Sequence, residues 1–243
     1  MNVIAIGNSF SQDATRYLHQ IAKADNFNLK VVNLYIGGCS LETHWYNAEN
    51  DLANYELELN GNQTGNMVSI KQALQSEKWD IVTLQQVSKQ STSYDTYQPY
   101  LNNLSLYVKK YAPDARQLIH QTWAYEQGSE KLTVEMGYKD QKDMFDDLKS
   151  AYQKAATELG GLKIIPGGEC FQKALSKNVT NLHRDTYHAS LGIGRYLLGL
   201  VWYKALSGRS VLDNTFCDFD EPIDTGIIPV LKRCAEEVFE NMY

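Results

Sequence analysis

The chain has 243 residues, 43 % of them hydrophobic and 21 % charged, with a formal charge of −6. That is enough for one sizeable α/β domain, and no Gly-, Ser- or Pro-rich linker divides it, so residues 1–243 read as a single domain. The acidic balance argues against nucleic acid as the main partner, and no run of about 18 apolar residues predicts a membrane span or a membrane partner.

In chain order, residues 3–7 form a short apolar run stopped by Gly7, the pattern of a first strand. Met1 leads straight into it without a basic leader, a long apolar core or a cleavage site, so a cytoplasmic protein is expected. Residues 12–24 read as a helix, with Ala14, Tyr17, Leu18, Ile21 and Ala22 on one face. Residues 30–36 read as a second strand ending at Gly37-Gly38. Residues 41–78, rich in Asn and Tyr, are the least regular stretch and are expected to form an elaborated connection that overhangs the sheet edge and walls the substrate. Further strands are predicted over residues 80–84, 117–122 and 162–165, the last stopped by Pro166-Gly167-Gly168. Helices are predicted over residues 97–111, 138–159, 190–206 and 227–242.

Short apolar strands alternating with helices indicate βαβ units, hence a three-layer α/β/α sandwich with a parallel sheet. Ligands of such sheets sit outside the carboxyl ends of the strands. The chemistry should therefore lie in residues 7–11, 37–41, 85–88, 121–125 and 167–170.

Gly7-Asn8-Ser9-Phe10-Ser11 joins the first strand to a helix. A serine there has its N–H at a helix N-terminus, where developing negative charge is favoured. Read locally, the same pattern also fits Ser9 or Ser11 as a plain helix cap. Arg184-Asp185-Thr186-Tyr187-His188 precedes a long apolar helix. An Asp and a His three residues apart can set the carboxylate on Nδ1 and leave Nε2 to face a serine, which needs such a base to become nucleophilic. In isolation the pair equally fits a turn cap and a surface histidine. Gly37-Gly38 can offer a backbone N–H to an oxyanion, and Gln85-Gln86 a side-chain amide.

In combination these pieces resemble the sequence blocks of the SGNH (GDSL-like) hydrolases. Gly7-Asn8-Ser9-Phe10-Ser11 is similar to their opening G-D-S-L block, residues 33–38 to the second, and Asp185-Thr186-Tyr187-His188 to the closing D-x-x-H block. The resemblance implies five parallel strands in the order 2-1-3-4-5, a flavodoxin-like arrangement. It implies Ser9 as nucleophile, His188 as base and Asp185 as its orienting acid, with the oxyanion held by the N–H groups of Ser9 and Gly38. The chain departs from the pattern at Asn8, where aspartate is usual, and after Leu84, where no G-x-N occurs. Gln85 is assigned as the third donor, by similarity to sialate-type O-acetylesterases, with Gln86 as the alternative. The opening block, residues 37–41 and residues 120–125 also resemble an SGNH branch common in gut bacteria.

At the end of the fourth strand, Trp123 and Tyr125 can stack on a sugar ring while Gln121 or His120 binds hydroxyls; core packing is the competing role for these aromatics. His44 is undecided in the same way, and His19 and His183 read as structural. The four cysteines, Cys39, Cys170, Cys217 and Cys234, have no C-x-x-C spacing and read as reduced packed thiols, so no metal and no cofactor is expected. The expected activity is a serine esterase acting on a small-molecule or oligosaccharide acyl ester, most simply an acetylated carbohydrate. Alternatives are a lipase or thioesterase of the same fold, and a non-catalytic carbohydrate-binding module. The α/β-hydrolase fold is disfavoured, because its G-x-S-x-G elbow lies in mid-chain, well separated from its acid and histidine.

Overall fold

The computed structural model describes residues 1–240. In chain order the first half runs β1 (Asn2–Gly7), α1 (Ser9–Thr15), α2 (Leu18–Ala24), β2 (Lys30–Tyr35), α3 (Leu41–Glu49), β3 (Tyr55–Leu59), β4 (Asn62–Val68), α4 (Ile70–Gln75) and β5 (Ile81–Leu84). The second half runs α5 (Tyr100–Tyr111), β6 (Arg116–Gln121), α6 (Gln141–Glu158), β7 (Ile164–Pro166), α7 (Gly167–Ser176), α8 (Ile193–Ser207) and α9 (Ile228–Glu240). The last two residues of the helix predicted over 227–242 lie outside the described residues.

Val3, Ile4, Ala5 and Ile6 are all buried. A strand apolar on both faces belongs inside a sheet covered on both sides, and β1 is central: it pairs in parallel with β2 and with β5. β6 and β7 continue the parallel run beyond β5. The parallel strands thus follow the 2-1-3-4-5 order, but the sheet has seven strands, ordered β4-β3-β2-β1-β5-β6-β7. The extra pair comes from residues 41–78, which are regular after all. α3 and α4 flank an antiparallel hairpin whose β3 pairs with β2. Its two-residue turn is Asn60-Gly61, both at positive φ of 52° and 81°, the pairing a type I′ turn demands.

The helix predicted over residues 12–24 starts earlier, at Ser9, and breaks into α1 and α2 at Arg16-Tyr17, where the Tyr17 hydroxyl donates to Leu191 O at 2.6 Å. α1, α2 and α9 pack around α8, whose buried residues surround its axis, while α3 and α4 pack on α5. The Tyr97–Tyr152 edge contact joins α6 to that second group. No helix among the described residues is long and apolar enough to cross a membrane.

Candidate active site

The turn after β1 is shaped by a close approach. A Cβ at Gly7 would lie 2.2 Å from Ser11 Oγ, so only glycine lets the chain fold back into α1. Asn8 caps that helix, its Oδ1 accepting from Phe10 N at 3.0 Å, while Ser11 Oγ accepts from Asn8 N at 3.0 Å. Ser9 is the first helical residue, a position whose N–H has no intrahelical acceptor. The cap therefore belongs to Asn8 and Ser11, and Ser9 is left with a spare N–H and a hydroxyl that takes no part in capping.

Residues 183–189 form a tight loop closed by a bridge between His183 and Ala189 and by Arg184 N donating to His188 O at 3.1 Å. Within it Asp185 Oδ1 accepts from His188 N at 2.9 Å and Oδ2 accepts from His188 Nδ1 at 2.8 Å. A carboxylate only accepts, so the neutral ring carries its proton on Nδ1. Nε2 is then an acceptor, and the Ser9 hydroxyl donates to it at 2.8 Å. Burial alone would raise the Asp185 carboxyl, but hydrogen bonds from the His188 side chain and backbone and the nearby Arg184 charge outweigh it and hold the group below the usual carboxylate range. The His188 ring packs at a tilt against Tyr187, 3.9 Å away between centroids, and against Phe10 at 5.6 Å. A hydroxyl, an imidazole and a carboxylate in one hydrogen-bonded line can deprotonate the hydroxyl as it attacks.

Gly38 sits opposite, after β2, at φ +64°, with open space around its Cα. A left-handed conformation favours glycine here, and the turn's own hydrogen bond is made by Cys39 N to Ile36 O at 3.3 Å, leaving the Gly38 N–H uncommitted. Gln85 is not beside it. Its side chain is buried and occupied at both ends: His120 Nδ1 donates to Oε1 at 2.7 Å, and Nε2 donates to Asn8 Oδ1 at 2.8 Å. Gln86 is occupied too, accepting from Leu41 N at 3.0 Å and donating to Thr96 O at 2.9 Å. Neither glutamine amide is free for the expected place of a third oxyanion donor, because Gln85 is spent on His120 and Asn8 and Gln86 on Leu41 and Thr96. Asn8 completes the chain with Nδ2 donating to Cys39 O at 3.0 Å. A line of neutral groups, His120 to Gln85 to Asn8 to Cys39, thus crosses the ends of β6, β5, β1 and β2.

Ser9 and His188 open on a cleft of about 370 Å³ lined by Asn8, Tyr35, Gly38, Ser88, Lys89, Tyr125, Lys131, Glu135 and Tyr187, among others. Of the three substrate-binding residues expected from the sequence, Tyr125 lines it, its hydroxyl 2.9 Å from Ser88 Oγ. Trp123 and Gln121 do not. Trp123 is buried between Phe10 and Phe171, at 4.3 and 5.0 Å, and donates to Tyr187 O at 2.8 Å, so it supports the histidine loop from below. Gln121 Oε1 accepts from Gly168 N at 3.0 Å and Glu169 N at 3.3 Å, capping α7.

Nor does the hairpin of residues 41–78 wall the cleft, because it lies beyond β2 along the sheet edge. The wall is a single π-helical turn, Lys131–Glu135, whose Lys131 Nζ stands 4.5 Å over the Tyr187 ring. From the hairpin, buried Glu58 reaches toward the site, accepting from Asn33 Nδ2 at 2.7 Å and from Gln12.

Of the remaining histidines His44 and His120 are buried, while His19 and His183 are half-buried and hydrogen-bonded to the carbonyls of Leu29 and Ala124; His44 contacts Tyr55 at 2.8 Å rather than any substrate space. Cys39, Cys170 and Cys234 are buried and Cys217 is exposed, all as free thiols. Among the described residues no group of three or more His, Cys, Asp or Glu side chains could hold a metal ion.

A family described as a domain of unknown function (DUF4886) matches residues 2–232, and a DUF4886 protein from Bacteroides uniformis superposes with a TM-score of 0.88 at 35 % identity, over 99 % of this chain and 93 % of that one. The chain belongs to the DUF4886 family. This DUF4886 protein shares its fold with a Slackia heliotrinireducens protein described as an SGNH hydrolase, at TM-score 0.62 and 23 % identity over 85 % of this chain and 99 % of that one. It shares it also with a Parabacteroides merdae protein described as a GDSL-like lipase, at TM-score 0.56 and 14 % identity over 86 % and 96 %. At those identities the likeness speaks for the SGNH fold of this DUF4886 chain and not for its chemistry. No curated protein matches it.

Proposed function

We propose that the protein is a serine esterase that removes short acyl groups, acetyl above all, from a carbohydrate or glycoside. The observation that carries the reading is the line from Ser9 Oγ to His188 Nε2 and from His188 Nδ1 to Asp185, each link 2.8 Å, at the edge of an open cleft. In the proposed reaction His188 takes the Ser9 proton as Oγ attacks the acyl carbon. The tetrahedral oxyanion is held by the N–H groups of Ser9 and Gly38, and His188 returns the proton to the leaving alkoxide. Water, deprotonated by the same imidazole, then releases the acid from the acyl-enzyme. Asp185 stays ionised and keeps Nδ1 protonated throughout.

The small acyl group is supported by the lining. Beside the apolar Phe10 and Val87, Tyr35, Tyr125, Tyr187, Ser88 and the charged Lys89, Lys131 and Glu135 offer rings and hydrogen bonds, whereas a long acyl chain gains about 0.8 kcal/mol per buried CH₂ only along an extended apolar trough. Tyrosine rings beside hydroxyl partners suit a sugar. The test is hydrolysis of a chromogenic acetyl ester and labelling by a fluorophosphonate. The wild-type chain should do both, and Ser9→Ala neither, with a loss in kcat of more than about a thousandfold. A Ser9→Ala variant that keeps a tenth of the activity, or a kcat/KM that rises from acetyl to octanoyl, contradicts the proposal.

A further inference from the structure

We infer that Asp13 is a positioning residue for this reaction: it clasps the Asp185–His188 loop onto the helix that carries Ser9 and thereby sets the separation of Ser9 from His188. The inference rests on the reading of Ser9 and His188 as nucleophile and base.

Asp13 lies four residues after Ser9, one turn further along α1, and is completely buried. Arg184 Nη1 donates to both its carboxylate oxygens at 2.9 Å, and Arg195 Nε donates to Oδ1 at 2.8 Å. Ala189 N donates to Oδ2 at 3.2 Å. Arg184 and Ala189 are the residues that immediately precede Asp185 and follow His188, and Arg184 also donates to the Ala189 carbonyl. Both ends of the histidine loop are therefore fastened to one carboxylate. On the far side Arg195 is held by Asp220 at 2.7 Å, which in turn accepts from Arg16 Nε at 2.8 Å.

A carboxylate taken wholly out of water persists only when paired and hydrogen-bonded on every lone pair, and here two of its three partners, Arg184 and Ala189, come from the loop it holds, the third being Arg195 of α8. Asp13 does not line the cleft and touches no reacting atom. Its geometry connects the two halves of the catalytic line through one helical turn on one side and one peptide bond on the other. Small displacements at this joint matter, because a misplacement of about 1 Å in a reacting pair can cost about a hundredfold in rate.

Asp13→Asn keeps the shape but can accept on one side only, so its amide N–H₂ must face either Ala189 N or the arginines. For this variant kcat on an acetyl ester should fall roughly fiftyfold, with KM within about threefold of wild type. Fluorophosphonate labelling should slow in parallel, and a crystal structure of the variant should show the His188–Ser9 contact lengthened beyond hydrogen-bonding distance. Arg195→Lys, which weakens the same buried cluster without touching the loop, should lower the melting temperature yet leave kcat within about threefold.

The inference is overturned if folded Asp13→Asn keeps wild-type kcat, or if the two variants lose kcat in proportion to their loss of melting temperature. Should Asp13→Asn not fold, Arg184→Gln takes its place, and a folded Arg184→Gln with wild-type kcat overturns the inference as well. If the wild-type chain is neither active nor labelled, it is the functional reading that fails. The clamp is then judged on structure alone, and a His188–Ser9 distance unchanged in Asp13→Asn refutes it.

Discussion

Behind the strand-end side of the cleft runs a line of His120, Gln85, Asn8 and the Cys39 carbonyl, all neutral and all buried. Behind the loop side His188 is backed by Asp185, Arg184 and Asp13, alternating in charge, with the Asp185 side chain 45 % exposed. The two sides have different work to do. In the proposed reaction the oxyanion donors are the Ser9 and Gly38 N–H groups, and the neutral line behind them ties the two turns together without changing protonation. In the same reaction the proton-carrying side gains and loses a charge in every turnover, so it needs compensating ions and some access to water.

Breaking the charged side should have the largest effect. His188→Ala removes the base and should lower kcat on an acetyl ester by about ten-thousandfold. Its melting temperature should stay close to wild type, since the ring lies at the cleft edge. Steady-state kinetics on protein shown to be folded by circular dichroism checks this.

On the neutral side Asn8→Ala should be the most damaging change. It unties the Ser9 turn from the Gly38 turn and leaves Gln85 Nε2 and the Cys39 carbonyl without their Asn8 partner. The expectation is a kcat loss of about a hundredfold and a stability loss of about 1–3 kcal/mol, read from the urea midpoint. Unlike His188→Ala, this variant should suffer in rate and stability together. An effect on rate alone would mean that Asn8 contacts the oxyanion itself.

Gln85→Ala sits one link further away and should be milder, with about a tenfold fall in kcat and little change in KM. A loss as large as that of Asn8→Ala would show that the amide reaches the cleft in the complex.

Mild acid sharpens the contrast with the least force. Burial holds His44 and His120 down to about 3 and His183 to about 4, so all three are neutral when folded. Unfolded, each titrates near 6.5 and binds more protons than the folded chain between those values. Their contribution is therefore complete above pH 6.5 and is lost as pH falls toward 3–4. Between pH 7 and 6 the expected loss is under about 1 kcal/mol per histidine, measurable by urea unfolding. Replacing His120 by Asn should flatten that slope.

Much of this was legible from the chain alone where the signal is local. The apolar run before Gly7 could only be an interior strand, and Asp185 and His188 lie within one loop, so their pairing needs no distant partner. The hairpin was missed although its Asn60-Gly61 turn is a strong signal, because the alternation around it is broken by polar residues on an exposed edge strand. Helices α1 and α2 read as one because the apolar spacing runs unbroken across the kink at Arg16-Tyr17.

What the sequence by itself determined is the alternation of strands and helices, the positions of the turns at the strands' carboxyl ends, and the residue types available there, while the order of the parallel strands came with the resemblance to the SGNH hydrolases. What only the tertiary structure decided is which of those side chains are free. Gln85, Gln121 and Trp123 stand at strand ends just as the pattern requires, yet each is consumed by a partner remote in sequence: Asn8 lies 77 residues from Gln85, Gly168 47 from Gln121 and Tyr187 64 from Trp123. Asp13 reads as an ordinary first-turn helix residue until Arg184, 171 residues away, closes on it. A buried polar group takes whatever partner the packing brings within reach, and that choice is written in the contacts between elements rather than in any one of them.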